Sequence, residues 1–462
     1  MRWFIRLCAA AVLFSFHAAA EAPPSTSAMS LRDAVNYALE HSPELKSAQA
    51  EIHRREGLVA AAHSFLKPQV EVWGDAAHSR FEHGYPAGTP PSLLRFDRTQ
   101  YTAGADLKFL AWDFRKTELE LSAARERVAG AGGKADRLRQ EIMFETARFY
   151  LQALTYSDLI RAAESRIQSL QSLLERANKL IQGGRAVPVD ALKIQTRIAQ
   201  IENDLAILRS GRRITLSNLA AVMGYDGDLP EPVYTTLSPV PQVQVQSEAE
   251  LLHTAKATRP EMASQEHEIK AEELAEEAAR KSVLPRIDLR ASVIQYLSNT
   301  PAGFPQLMGR LLPGLSDNLP SPGNAATDWL VGVHVSFPLF DGGRRKGQIE
   351  SAQAQLEQAR LAQRQLELRI AREVRTSLAD LESAQSRVRS LQSSVAESER
   401  VLHDERLKFE AGRSVINCVL DAESALLTNQ SLLSQAERSV AIAGLDLDFR
   451  MGRIDASNWP DR

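Results

Sequence analysis

The sequence predicts an α+β protein built twice, as two tandem copies of one unit. Each copy leads from short helices through a pair of amphipathic strands into a very long helical hairpin. Three observations carry this reading. The first is internal repetition: His41–Ser42–Pro43–Glu44–Leu45 returns as Thr258–Arg259–Pro260–Glu261–Met262, and Leu66–Lys67–Pro68–Gln69–Val70 as Val283–Leu284–Pro285–Arg286–Ile287, both at an offset of 217 residues. Gly104, Phe109, Trp112–Asp113, Gly184–Arg185 and Gly224 then meet Gly332, Phe337, Phe340–Asp341, Gly412–Arg413 and Gly452 at an offset of 228, so an insertion of 11 residues separates the two registers. Because Pro and Gly govern turns and helix boundaries, matching them matches architecture as well as composition. The second observation is the absence of proline between Pro91 and Pro188 and between Pro338 and Pro460, in tracts rich in Ala, Leu, Gln, Glu and Arg. The third is a change of hydrophobic period from 3.6 to 2 just before each of those tracts.

In chain order, the first element is a targeting segment. Arg2 and Arg6 precede the apolar run Leu7–Phe16, and Ala18–Ala19–Ala20 offers a small-residue cleavage site before Glu21. The run is shorter than the ~20 residues of a membrane span. Cys8 lies within it without a lipidation box, so a soluble export signal over 1–20 is expected. Its removal leaves Cys418 alone and excludes an intrachain disulfide. Repeat one is expected over 21–227, a Pro/Gln-containing linker over 228–247, repeat two over 248–453 and a tail over 454–462.

The strands come next. Tyr101, Ala103, Ala105, Leu107 and Phe109 alternate with Thr102, Gly104, Asp106 and Lys108. Ile287, Leu289, Ala291 and Val293 alternate with Arg286, Asp288, Arg290 and Ser292, and Trp329, Val331, Val333, Val335 and Phe337 with Asp328, Gly332, His334 and Ser336. Val70 and Val72 open a weaker fourth run. These predict strand pairs over about 68–112 and 285–340, each strand about ten residues long, with turn-rich tips over 82–98 and 299–327. Aromatics stand at both ends of the better strands, as at the two interfaces of an outer-membrane barrel. Four strands cannot close a barrel alone, and an open edge in lipid leaves backbone groups unsatisfied. The chain therefore either keeps its strands in water or closes them with neighbouring copies.

The helices follow. Ile349, Ala352, Leu356, Ala359, Leu366, Ile370, Val374, Leu378, Leu381, Ala384, Val388, Leu391, Val395 and Leu402 show the three-four spacing of a coiled-coil seam, in a helix from about Gly343 to Ala411. The successive fours at Ile370–Val374–Leu378 form a stutter. Val419, Leu426, Leu433, Val440 and Leu447 supply the partner's heptad, matched in the first repeat by Ile194, Ile198, Ile201, Leu205 and Leu208.

The net charge of −3 with 24% charged residues points to neither nucleic acid nor an anionic membrane surface as partner. Gly130–Gly132–Gly133–Lys134 lacks the preceding strand and following Ser or Thr of a phosphate loop and reads as a local loosening of the long helix. The histidines show no paired metal-ligand spacing, no nucleophile–base constellation is legible, and helix capping explains Asp113 and Asp341. Neither an enzyme nor a cofactor is expected.

Phe409–Glu410–Ala411–Gly412–Arg413–Ser414–Val415–Ile416–Asn417–Cys418–Val419–Leu420–Asp421–Ala422 resembles the aromatic-x-x-Gly stretch and Asp-Val-Leu-Asp-Ala turn of the TolC-type outer-membrane efflux and secretion channels. Gly184–Arg185–Ala186–Val187–Pro188–Val189–Asp190–Ala191–Leu192 is a weaker copy, and Leu219–Val222–Met223–Gly224 and Leu447–Met451–Gly452 resemble the family's repeat ends. The resemblance covers essentially the whole mature chain. It implies a homotrimer in the Gram-negative outer membrane whose strands, four from each chain, form one twelve-stranded barrel continued by a helical tunnel through the periplasm. It places Asp421 and Cys418 at the closed periplasmic entrance, Cys418 standing where the family carries an acid. Ser414 stands where the family carries a base, with Arg413 one place earlier. The helix tips near 184–190 and 412–418, with Gly184, Arg185, Ala186, Gly412, Arg413 and Ser414, are implied to meet a periplasmic adaptor. Asp190 reads more simply as a helix-start residue after Pro188. The function expected is the exit duct of a tripartite efflux pump, loaded by an inner-membrane pump or ABC transporter, with type I protein secretion as the alternative. A soluble periplasmic coiled-coil adaptor or scaffold is the rival from another class.

Overall fold

The computed structural model describes residues 29–82, 95–183, 187–227, 229, 232, 247–296, 326–411 and 413–454. The expected export signal, nearly all of the linker, the distal tips of both strand pairs and the tail beyond Ile454 lie outside the described residues.

Two copies of one unit follow each other along the chain. The first comprises α1 (Leu31–His41), α2 (Pro43–Ser64), β1 (Gln69–Glu82), β2 (Arg95–Trp112), α3 (Lys116–Gln182) and α4 (Pro188–Met223). The second comprises α5 (Glu248–Thr258), α6 (Pro260–Lys281), β3 (Arg286–Tyr296), β4 (Ala326–Ser336), α7 (Arg344–Glu410) and α8 (Ile416–Arg450). Helix lengths repeat almost to the residue: 11 and 11, 22 and 22, 67 and 67, 36 and 35. Each unit opens on a capping box, Ser30 with Asp33 and Ser247 with Glu250, which satisfies orphan N–H groups at the helix start. Each closes on a glycine in the left-handed region, Gly224 and Gly452, packed against the junction between the unit's two short helices.

The strands form one antiparallel sheet in the order β1-β2-β3-β4. The register aligns Val72, Ala105, Val293 and Trp329 in one row and Val70, Leu107, Ala291 and Val331 in the next. Between them lies the row Glu71, Asp106, Ser292 and Leu330, and next to the Val70 row lies Gln69, Lys108, Arg290 and Gly332. One face of the sheet is therefore apolar and the other polar across all four strands. The apolar face is largely exposed on the single chain, with Val72 78%, Val331 72% and Val333 65% exposed. Trp329 and Tyr101 stand toward its distal end, and Trp112, Phe337 and Phe340 at the helical end. At 14 and 18 residues β1 and β2 exceed the expected ten, because their pairing continues beyond the stretch of clear alternation.

The turn from sheet to long helix is the same in both units. Asp113 accepts from the backbone N–H of Thr117 at 2.9 Å and Asp341 from that of Arg345 at 3.2 Å, the expected capping role. The two residues after each aspartate have positive φ: Gly342 and Gly343 in the second unit, but Phe114 (58°) and Arg115 (68°) in the first.

Each 67-residue helix extends about 100 Å. Its distal half pairs with α4 or α8, and its sheet-proximal half packs against α2 and α6. The predicted seam residues of α7 are all buried or half-buried, as are those of α4 and α8. Through Gly130–Lys134 helix α3 continues unbroken, contrary to the expected loosening. A Cβ at Gly133 would lie 2.9 Å from the Pro260 carbonyl, so the glycine run is where α6 crosses closely.

The main cores lie at mid-length of the long helices. One gathers Val35, Phe144, Tyr150, Leu151, Leu219 and Phe449. The other gathers Leu251, Met262, Ile370, Val374, Leu447 and Met451. An ionic network joins α3, α6, α7 and α8 at this level. The Arg259 guanidinium, 2% exposed, donates to Glu261 at 2.9 Å and Glu373 at 2.8 Å. Arg137 lies 3.4 Å from Glu261 and stacks 3.7 Å from the Phe449 ring centroid.

Candidate functional site at the helical tips

The end of the molecule farthest from the sheet is made by two hairpin turns, α3 to α4 and α7 to α8. Val187 is extended and Pro188 opens α4, where its missing N–H is harmless and its fixed φ suits the first turn. Gly184, Arg185, Ala186 and Gly412, expected at the adaptor-facing tips, lie outside the described residues. Asp190 stands in the first turn of α4.

The second turn is held by its own polar contacts. The Arg413 N–H donates to the Lys408 carbonyl at 2.8 Å, and the Ser414 hydroxyl donates to Glu405 Oε2 at 2.8 Å. Lys408 Nζ donates to the other Glu405 oxygen at 2.7 Å. Hydrogen bonds from Lys408 and then Ser414 hold the Glu405 carboxyl below its ordinary range. Ser414 therefore fastens the turn locally, at the position where a base was implied by resemblance.

Along α8, Val419 and Ala422 turn inward onto Leu402, while Cys418 and Asp421, three residues apart, are exposed beside them. Asp421 is in the second turn of α8, and the first turn carries no acid. The helix macrodipole, which falls off within one turn, does not account for it.

Sequence reasoning did not find the contacts between the two hairpins. Lys193 donates to Asn417 Oδ1 at 3.3 Å and Arg197 to the Ser424 hydroxyl at 2.6 Å, tying α4 to α8. Leu420 of α8 packs onto the α3–α4 seam formed by Leu170, Ala177, Ile194 and Ile201. A cavity of about 300 Å³ between the hairpins is lined by Arg166, Lys193, Arg197, Asn417, Asp421 and Glu423. Burial, and next the charge of Arg197, push the Arg166 guanidinium below its ordinary pKa. Glu423, 10% exposed at its side chain, lies 3.8 Å from Arg406. The Lys193 and Arg197 links join cations to neutral acceptors, and Arg438 of α8 adds an ion pair to Asp158 of α3 at 3.2 Å.

The sequence profile described as "Outer membrane efflux protein" matches residues 34–225 and 251–453, one match on each repeat. Outer membrane efflux protein BepC of Brucella suis is 24% identical over 426 residues, covering 92% of this chain and 86% of that protein. Alkaline protease secretion protein AprF of Pseudomonas aeruginosa is 22% identical over 447 residues, covering 93% and 86%. Among solved structures, the outer membrane protein VceC of Vibrio cholerae superposes with a TM-score of 0.73 at 22% identity, over 91% of this chain and 96% of that one. The apolar sheet face, the doubled hairpin and the doubled profile match agree, and the rival reading as a soluble adaptor falls away. The chain belongs to the outer membrane efflux protein family, the TolC-type transport channels of the Gram-negative outer membrane, which are not enzymes.

Proposed function

We propose that the protein is a homotrimeric exit duct for small molecules, docked at its tips to a periplasmic adaptor and loaded by an inner-membrane pump. One observation carries the assembly: the four strands make an open sheet with β1 and β4 as its free edges. β1 leads away from the helices and β4 back toward them, so β4 of one copy meets β1 of the next in antiparallel sense. Closure by copies removes edges whose unsatisfied groups would each cost several kcal/mol in lipid. Three copies give the twelve strands expected for this family. In this reading Asp421 and Cys418 line the closed entrance. Gly184, Arg185, Ala186, Gly412, Arg413 and Ser414 form the adaptor-facing rim. Opening breaks the Lys193–Asn417 and Arg197–Ser424 links as the hairpins part.

Efflux is favoured by the relatives named for it, BepC and the pyoverdine export protein OpmQ of Pseudomonas putida. Type I protein secretion with an ABC transporter is the second reading, favoured by AprF and by PrtF of Dickeya chrysanthemi, named for protease secretion. Cross-linking of protein purified in detergent should trap a three-chain species, whereas a stable monomer that conducts in bilayers would overturn the assembly. Loss of the gene should raise sensitivity to small toxic compounds. An unchanged sensitivity together with a protein missing from the medium would favour secretion instead.

A further inference from the structure

The polar face of the sheet is divided by charge along the barrel axis. From the helical end outward, its first three rows are Arg286 with Ser336, then Leu110 with Asp288 and His334, then Gln69 with Lys108, Arg290 and Gly332. These rows hold three cations against one carboxylate, Asp288, which is itself held by Arg286 at 2.9 Å and lies 4.0 Å from Arg290. The next three rows are Glu71 with Asp106, Ser292 and Leu330, then Trp73 with Gly104, Ile294 and Asp328, then Asp75 with Thr102 and Tyr296. Among these described residues there are four carboxylates and no cation. The sign therefore changes between the Lys108–Arg290 row and the Glu71–Asp106 row, two residues or about 7 Å apart.

The outer belt is fixed in place. The Trp73 indole N–H donates to Asp106 Oδ2 at 2.6 Å. The ring lies over Gly104, where an added Cβ would sit 2.6 Å from it. Glu71 and Asp106 are direct cross-strand neighbours, as are Lys108 and Arg290, and like charges placed so are destabilising. A sheet selected for stability alone would interleave the signs; this one segregates them.

We infer that the barrel lumen is a bipolar electrostatic filter, in which Lys108, Arg290 and Arg286 form a basic belt at the inner mouth and Glu71, Asp75, Asp106 and Asp328 an acidic belt directly beyond it. This rests on the trimeric barrel proposed above, which repeats each belt three times around a narrow pore. Fixed charges cannot drive export, whose direction the pump sets, but they determine which ions occupy each belt. Anionic solutes arriving from the tunnel are gathered at the inner mouth.

The test maps local potential by cysteine accessibility in a Cys418→Ser background. Gly332→Cys lies in the basic row, with no atom within 4 Å of the added Cβ, and Leu330→Cys lies in the acidic row. Both are treated from the extracellular side, at low salt, with anionic and cationic methanethiosulfonates. The anionic-to-cationic rate ratio should be larger at Gly332→Cys than at Leu330→Cys by about tenfold or more, and the difference should shrink at high salt. Adding Lys108→Gln and Arg290→Gln should lower the ratio at Gly332→Cys more than that at Leu330→Cys, because the cations lie in the Gly332 row and one row away from Leu330. Equal ratios at the two positions would overturn the filter while leaving the channel intact. Modification of the apolar-face Val331→Cys, with Gly332→Cys and Leu330→Cys both silent, would instead overturn the barrel reading beneath it.

Discussion

Cys418 and Asp421 form a pair of exposed side chains on α8, backed by the inward Val419 and Ala422. If the expected export signal is removed together with Cys8, no second cysteine remains, and a disulfide at Cys418 can only join two chains where Cα atoms approach within about 7 Å. Mild oxidation of the assembled protein is expected to give dimers on non-reducing gels and to lower conductance, with recovery on reduction. Asp421→Asn should weaken cation preference, since a ring of carboxylates favours cations. Absence of labelling by an impermeant thiol reagent, with unchanged selectivity in Asp421→Asn, would remove both residues from the entrance. Resemblance brought attention to these two positions, and periodicity alone would have passed over them. The Ser414–Glu405 bond escaped because residues nine apart meet only once the turn is folded.

At the scale of elements, what repeats in the sequence was legible and what crosses between repeats was not. Alternation gave the strands their faces, and heptads gave each hairpin its buried seam, because both patterns record burial directly. The Arg197–Ser424 link left no such trace, since a surface position carries no periodic signal. Two predictions belong here. Val333→Arg, on the apolar face, should impair barrel assembly by about 2–4 kcal/mol, and His334→Arg, on the polar face, by much less. Heat-modifiable trimer on gels reads this, and equal losses would refute the register. The sheet-to-helix turn supplies the other. Phe114 and Arg115 hold a left-handed conformation that the second repeat gives to Gly342 and Gly343, and such non-glycine residues are strained by about 1–2 kcal/mol each. Arg115→Gly should therefore leave stability unchanged or raise it, whereas Gly343→Arg should lower it. A clear loss in Arg115→Gly would mean that the Arg115–Glu118 pair at 2.9 Å outweighs the strain.

At the scale of the molecule, the duplication is imperfect where it matters for cohesion. Ser42 in the first repeat corresponds to Arg259 in the second, and only the second position bears an ionic network that ties α6 to both long hairpins. The repeat match marked the position as a helix junction but could not show that Glu373 and Arg450, from distant parts of the chain, converge on it. Burial pushes the Arg137 guanidinium down to about 10, so it stays charged at neutral pH. At Glu373 burial acts to raise the pKa, but the bond from Arg259 and the charges of Arg259, Arg450 and Arg369 outweigh it, and the carboxyl lies below its ordinary range. A carboxylate with a lowered folded pKa stabilises the fold above its unfolded pKa of about 4.3, and that contribution is lost as pH falls through the folded value. The thermal midpoint of the helical signal should therefore drop below about pH 4 in the native protein and drop less in Glu373→Gln. Arg259→Ala strands two carboxylates in a poorly solvated position and should cost about 3–5 kcal/mol, whereas combining it with Glu373→Gln should recover part of that loss. Additive losses in the double variant, or parallel acid profiles in the native protein and Glu373→Gln, would show that the hydrophobic cores at mid-length hold the repeats together without this network.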